Sequence, residues 1–169
     1  MNTSDAVWQT LSEYVDTVFL VPGGGASFLV DALGRSGLRY VAMLHEQGAG
    51  YAAVGYAMNK GFGVCLTTSG PGASNAVTPC LAAWMDSVPV IFISGNVRRD
   101  WQAIGQRSRG VQEADITAIV RPITKKAHRA SYAKGTITAL MDMIATARDG
   151  RPGPVWLDIP QDVQGEAYV

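Results

Sequence analysis

Continuous apolar runs alternate along this chain with segments in which apolar residues recur at helical spacing. The apolar runs are short and lack polar alternation, which predicts strands buried on both faces; they cover residues 17–21, 40–44, 62–68, 88–93 and 154–160, with a possible edge strand over 123–127. Helices are predicted over residues 27–33, 48–58, 73–85, 115–120 and 132–148, and in a first helix that Ser4 or Asp5 caps and that ends near Tyr14. This alternation predicts an α/β fold, a mostly parallel sheet of about six strands with helices on both faces.

Three distinctive stretches follow the first three predicted strands. Pro22–Gly25 follows the first strand, Glu46 the second, and the turn Ser69–Gly72 the third. Ligands of open α/β sheets gather outside the carboxyl ends of the strands, so we expect these stretches to lie close together. The long polar segment 95–112 is typical of a functional or mobile loop.

Glu46 stands at the junction between a predicted strand and a helix rich in glycine and alanine. A single acid at such a junction is partly dehydrated, which favours its protonated form and suits it to sharing a proton. The alternative is a purely structural role, because a carboxylate at a helix N-terminus is stabilised by the macrodipole. The local pattern leaves both interpretations open.

Composition narrows the class of protein. The 169 residues predict a single domain with a sizeable core, and 14 basic against 14 acidic residues favour neither nucleic acid nor an anionic membrane as a partner. We find no signal peptide and no apolar run of membrane-spanning length. Cys65 and Cys80 lie in apolar surroundings, which predicts reduced core thiols and a cytoplasmic location. Low charge and many small residues hint at a surface covered by a partner subunit.

Several common motifs fail on inspection. Gly23 and Gly25 are followed by Phe28 where a dinucleotide fingerprint needs its third glycine, and residues 55–60 do not form a P-loop. Thr67 replaces the first glycine of a nucleophile elbow around Ser69. The two histidines lack metal-ligand spacing. The turn Ser69–Gly72 is compatible with phosphate binding at a helix start or with plain strand-to-helix geometry.

Three stretches together resemble the pyrimidine-binding domain of thiamine-diphosphate-dependent enzymes: Pro22–Gly24, His45–Ala49 and Thr68–Asn75. The similarity is closest to the acetolactate synthase branch and spans nearly the whole chain. It is reinforced by the segments Ala83–Pro89, Gln112–Thr117, Arg121–Lys125 and Gly153–Pro160.

The resemblance implies a role for each of these stretches. Glu46 would hydrogen-bond N1′ of the aminopyrimidine and favour the imino tautomer, whose 4′ nitrogen removes the C2 proton of the thiazolium. Pro71 and Asn75 would line the pyrimidine pocket, Gly24 and Gly25 would lie beside the thiazolium, and Gln112 would face the substrate. The cofactor would then act as electron sink for decarboxylation of, or carboligation with, a 2-keto acid.

The resemblance also implies that this chain holds half of an active site. It lacks the Gly-Asp-Gly motif of the diphosphate-binding domain, and the middle domain, which can hold a flavin in this branch, is also missing. We therefore expect no metal ligands and no FAD on this chain, with Mg²⁺ and the diphosphate bound by a partner chain. We expect the small subunit of a split enzyme, assembled as a heterotetramer.

Other interpretations stay open at this point. The chain could be an excised domain of a longer enzyme, or a non-catalytic assembly or sensing module with the same fold. A nucleotide-binding domain is disfavoured by the failed fingerprints. Two departures from the family pattern, Val111 in place of an aromatic residue and the additional Gly25, leave the donor and acceptor substrates undecided.

Overall fold

In a computed structural model, which describes residues 1–102 and 105–169, six parallel strands form one sheet in the order β2-β1-β3-β4-β6-β5. The strands are Thr17–Leu20 (β1), Arg39–Ala42 (β2), Gly63–Thr67 (β3), Val90–Asn96 (β4), Lys126–Arg129 (β5) and Val155–Pro160 (β6). The predicted α/β class with a parallel sheet is confirmed.

Helices connect these strands. They are Thr3–Leu11 (α1), Ser27–Arg35 (α2), Glu46–Lys60 (α3), Pro71–Asn75 (α4), Val77–Met85 (α5), Ile116–Val120 (α6), Ala133–Arg148 (α7) and Gln161–Gln164 (α8). Short 3₁₀ turns lie at Gly24–Ala26, Arg99–Trp101 and Arg121–Ile123.

The central strands are buried on both faces. Their successive side chains point to opposite sides of the sheet and enter two separate apolar clusters. On β6, Val155, Leu157 and Ile159 pack in one apolar cluster with residues of α1, α2 and α7. Trp156 points the other way, into a second cluster with residues of α3, α5 and α6, and its ring stacks on that of Phe92. Helices therefore cover both faces, as predicted.

The prediction for the first helix was wrong at its start. Asn2 is the N-cap: its side chain accepts a hydrogen bond from the Asp5 backbone N–H at 2.9 Å, and the Asp5 carboxylate accepts one from the Asn2 backbone N–H at 3.0 Å. This reciprocal pair is a capping box, in which the acid stands inside the helix. Ser4 and Asp5 therefore belong to the first turn, and the helix ends at Leu11.

The predicted helix over residues 73–85 is two helices, separated at Ala76. Pro79 explains the break. In a continuous helix its ring would clash with the carbonyl group of Asn75, and it would leave that carbonyl without a donor. In the first turn of α5 the backbone N–H groups have no partner within the helix, so proline is tolerated there.

The apolar run over residues 40–44 predicts a strand buried on both faces, and this prediction was wrong. All four residues of β2 are exposed, because β2 is an edge strand that pairs only with β1. The opposite edge is β5, as predicted, but it begins at Lys126 instead of residue 123. The chain after β6 forms α8, and Ala167 makes an antiparallel bridge to Asn2.

Cys65 and Cys80 are both buried and unpaired, which confirms them as core residues. Burial raises the pKa of both thiols. Within the described residues, no helix combines the length and the apolar character needed to cross a membrane.

Candidate active site

The carboxyl ends of β1 and β3 form a crevice. These two strands are neighbours at the centre of the sheet, and the chain leaves β1 towards β2 and β3 towards β4, on opposite sides. A reversal of this kind is the usual place for a ligand in an open α/β sheet. The turn after β3, residues 68–72, lies at this point and is called the β3 turn below.

Glu46 lies on one side of the β3 turn, at the first residue of α3. His45 caps that helix, since its Nδ1 accepts a hydrogen bond from the Gln47 backbone N–H at 3.1 Å. Glu46 as a whole residue is only 9% exposed, and its Oε2 accepts a hydrogen bond from Asn75 Nδ2 at 3.0 Å. A methyl group on Gly72 would lie 3.2 Å from Glu46 Oε1, so the absence of a side chain leaves room beside the carboxylate.

Gly24 and Gly25 lie on the other side of the β3 turn. The Gly25 backbone N–H donates a hydrogen bond to Thr68 Oγ1 at 3.1 Å, and a methyl group on Gly25 would lie 2.5 Å from Ser69 Oγ. Gly25 also accepts a hydrogen bond from Gln164 Nε2 at 2.8 Å. Only glycine allows this close approach, so the third glycine of the loop has a packing reason.

Gln112 approaches the same turn from the long polar segment. Its backbone is in the left-handed region, with φ 59°, and its carbonyl oxygen faces Gly70, where a methyl group would lie only 2.1 Å away. An open cleft of about 290 Å³ separates this segment from the glycine loop; it is lined by Gly24, Gly25, Ser69, Asn96, Val97, Arg98, Trp101, Val111, Gln112 and Gln161.

The predicted site residues therefore fall into two groups around the β3 turn. Glu46 and Asn75 are in direct contact, and Pro71 begins the short helix that carries Asn75. Gly24, Gly25 and Gln112 line the cleft, whose lining does not include Glu46. The expected co-location at the carboxyl edge is present, and the β3 turn touches both groups.

Three residues at this edge were missed by sequence reasoning. Thr68 begins one of the motif stretches but has no role assigned from the sequence, yet its Oγ1 accepts the hydrogen bond from the glycine loop. Asn96 and Gln161 line the cleft, at the carboxyl ends of β4 and β6. The signal available for them was their position after the last apolar residue of a strand, the same signal that selected Glu46.

Metal ligands do not cluster in the described part of the chain. Among residues 1–102 and 105–169, no group of three or more His, Cys, Asp or Glu side chains is arranged to hold a metal ion.

Comparison with known families shows to which family the chain belongs. Residues 1–119 match the family described as "Thiamine pyrophosphate enzyme, N-terminal TPP binding domain". The chain belongs to this thiamine pyrophosphate (thiamine diphosphate) enzyme family. The resemblance predicted from its motifs is confirmed.

The relatives that this thiamine pyrophosphate enzyme domain matches include acetolactate synthases. The domain is 46% identical over 167 residues to the acetolactate synthase of Mycobacterium bovis, and the match covers 96% of this chain and 26% of that protein. It is 40% identical to chloroplastic acetolactate synthase 2 of Nicotiana tabacum (98% and 25% covered) and 41% identical to the acetolactate synthase large subunit of Lactococcus lactis (95% and 28% covered). The chain thus spans about a quarter of the length of the curated relatives it matches.

The residues of this thiamine pyrophosphate enzyme domain fit the aminopyrimidine part of the cofactor. A carboxyl group accepts hydrogen bonds when it is ionised and donates one when it is protonated, so Glu46 could bind a ring nitrogen of an aminopyrimidine. Asn75 holds one oxygen of this carboxyl group, and Gly72 leaves space beside the other. These residues could therefore hold an aminopyrimidine ring.

Proposed function

We propose that this domain is the pyrimidine-binding half of a thiamine-diphosphate-dependent enzyme that decarboxylates or ligates 2-keto acids, as an acetolactate synthase does. The observation that carries the proposal is the Glu46 carboxylate, nearly buried at the start of α3, with Asn75 on one oxygen and the side-chain-free Gly72 beside the other. Burying a carboxylate is costly, so one that is nearly buried at the carboxyl edge of the sheet is a candidate functional group.

Each group of residues has a separate task in this proposal. Glu46 would hold and share a proton with a ring nitrogen of the aminopyrimidine, and Asn75 would orient the carboxylate. Pro71 would line the same pocket. Gly24 and Gly25 would border the thiazolium, and Gln112 would face the substrate across the cleft. Bound thiamine diphosphate would supply the electron sink for decarboxylation.

The diphosphate and its Mg²⁺ would be held by a diphosphate-binding domain outside this sequence. Exposed apolar side chains are consistent with a surface that this second domain covers. They lie on β2, on the segment after it and on α3: Tyr40, Val41, Leu44, Tyr51 and Met58. That domain could belong to a separate subunit, as the sequence suggested, or to the same longer chain. The split subunit and the heterotetramer stay predictions.

Replacing Glu46 with glutamine tests the proposal. The amide keeps the shape of the side chain and its contact with Asn75, but it cannot take up and return a proton. In the assembly that includes the diphosphate-binding domain, Glu46→Gln should lower turnover of pyruvate, a simple 2-keto acid, by about 10³-fold. Circular dichroism of the isolated chain should show an unchanged fold.

Glu13→Gln is the matched control, since it makes the same chemical change at an exposed position. It should leave turnover unchanged. Full activity of Glu46→Gln would rule out the proton role. If calorimetry finds no binding of thiamine diphosphate to any mixture of this chain with diphosphate-binding partners, the domain is a non-catalytic module instead.

A further inference from the structure

Both ends of the segment that carries Val111 and Gln112 are linked, through Asn96 and Arg129, to one buried carboxylate. This cleft segment, residues 97–115, leaves β4 after Asn96 and returns at the start of α6, and the structure describes its residues 97–102 and 105–115. We propose that Asp158 and Arg129 are positioning residues that hold both ends of the cleft segment together and so set where Val111 and Gln112 face the cleft. Only the consequence for substrate rests on the proposed function.

Asp158 is the centre of this arrangement. It is fully buried on β6 and accepts three hydrogen bonds: from Ser94 Oγ at 2.8 Å, from Asn96 Nδ2 at 2.7 Å and from Arg129 Nε at 3.0 Å. Burial raises the pKa of the Asp158 carboxyl, and the bonds from Asn96 and Ser94 and the charge of Arg129 oppose that rise. A buried charge is costly, and its cost is offset here by the three hydrogen bonds and the charge of Arg129.

Asn96 connects the carboxylate to both ends of the cleft segment. Its Nδ2 also donates to the carbonyl oxygen of Ala114 at 3.2 Å, while its Oδ1 accepts a hydrogen bond from the Val97 backbone N–H at 2.8 Å. One side chain thus contacts the first residue of the segment and the last but one. It is buried itself and also lines the cleft.

Arg129 makes the second connection, from the edge strand β5. Its Nε donates to Asp158 Oδ2, and its Nη2 donates to Asp115 Oδ1 at 2.9 Å. Asp115 in turn caps α6, because the same oxygen accepts hydrogen bonds from the Ala118 backbone N–H at 3.1 Å and from Thr117 Oγ1 at 2.6 Å. The planar guanidinium therefore joins the end of the cleft segment to the sheet.

The consequence concerns Gln112, three residues before Asp115. Its left-handed backbone is an unfavourable conformation for a residue with a side chain, so it persists only where surrounding contacts impose it. The hydrogen bonds at Ala114 and Asp115 are such contacts, and the neighbouring Gly70 provides the space for its carbonyl group. Loosening Arg129 should therefore change the cleft side of the site without touching Glu46.

Hydrogen exchange measured by mass spectrometry on this chain tests the proposal without cofactor. Arg129→Met should raise exchange in peptides covering residues 105–115 by about tenfold, the loss expected for a hydrogen bond to a charged group. Exchange in α3 should not change. Arg129→Lys keeps the charge but cannot bridge two carboxylates from one planar group, so it should also raise exchange in residues 105–115.

Arg39→Met is the matched control. It removes an arginine and its ion pair with Asp16 from β2, the opposite edge strand, and should leave exchange in residues 105–115 unchanged. Asp158→Asn, if it folds, should resemble Arg129→Met, because an amide offers only one acceptor oxygen to three donors. Unchanged exchange in residues 105–115 of Arg129→Met, a uniform increase over the whole chain, or wild-type behaviour of Arg129→Lys would overturn the proposal.

A kinetic experiment separates this proposal from the proposed function. In the assembly with the diphosphate-binding domain, Arg129→Met should raise KM for pyruvate about fivefold and change kcat less than about twofold, because it disturbs the binding side of the site only. A loss confined to kcat would contradict positioning of the cleft segment. Absence of turnover in the unaltered assembly would count against the proposed function, and the exchange result would stand by itself.

Discussion

At the scale of single residues, the candidate site depends on positions where no side chain is tolerated. Each glycine of the β3 turn faces a different partner. Gly70, with φ 52° and ψ −113°, faces the carbonyl oxygen of Gln112, and Gly72 faces the Glu46 carboxylate. The turn can therefore bring the acid and the cleft segment to the same place because Gly70 and Gly72 lack side chains.

We expect Gly70→Ala to lower the free energy of unfolding by about 3 kcal/mol, since the left-handed backbone strains alanine and the methyl group would lie 2.1 Å from the Gln112 oxygen. Gly37→Ala is the control. Its φ of 78° is also positive, but nothing lies within 4 Å of the added methyl group, so the cost should be about 1 kcal/mol. Equal costs in urea denaturation would show that the contact with Gln112 contributes nothing.

At the scale of elements, small residues decide how closely helices approach. The face of α3 towards the second cluster consists of Ala49, Ala53, Val54 and Ala57, and Gly50 lies against Pro79 of α5. Pro79 thus has two effects: it ends α4 before Ala76 and it packs on α3. Close packing of α3 is what holds Glu46, its first residue, beside α4.

Two glycines within α3 should respond in opposite directions to alanine. A methyl group at Gly50 would lie 2.3 Å from Pro79 Cγ, so overpacking should outweigh the gain in helix propensity and lower the free energy of unfolding by about 1–2 kcal/mol. Gly55 is exposed with nothing within 4 Å, so Gly55→Ala should raise it by about 0.5–1 kcal/mol. A stabilising Gly50→Ala in thermal or urea unfolding would contradict this packing.

At the scale of the whole molecule, the sheet has well-covered faces and two unequal edges. The central strands are buried on both sides, while β2 and the residue Leu44 after it expose apolar side chains. This combination indicates a stable core together with a surface that another domain covers in the proposed assembly. The core should therefore unfold cooperatively, so that its buried residues become exposed together.

Thiol reactivity measures this cooperative core. Cys65 and Cys80 are buried between the sheet and its helices, and burial raises the pKa of both, which lowers the thiolate fraction. At pH 8 we expect a thiol reagent to modify both at least about 10³-fold more slowly in the native chain than in guanidinium. The single variants Cys65→Ser and Cys80→Ser show which modification rate belongs to which thiol. Rapid native modification of either thiol would reveal local opening.

Much of the fold and part of the site follow from the sequence alone. Apolar runs that alternate with helical periodicity determine an α/β sheet, because each run can be buried only if both faces are covered. The glycine turns and Glu46 follow their strands directly, so their place at the carboxyl edge follows from parallel pairing. Motif resemblance then identified the family.

Tertiary structure decided what depends on contacts between distant residues. The apolar run of β2 is exposed because strand order makes it an edge, and no local pattern encodes that order. Glu46 and Asn75 meet across two helices, and Gly70 faces Gln112, which lies far along the chain. The hydrogen bonds from Asn96 and Arg129 to Asp158 join three neighbouring strands, so only their register could reveal them.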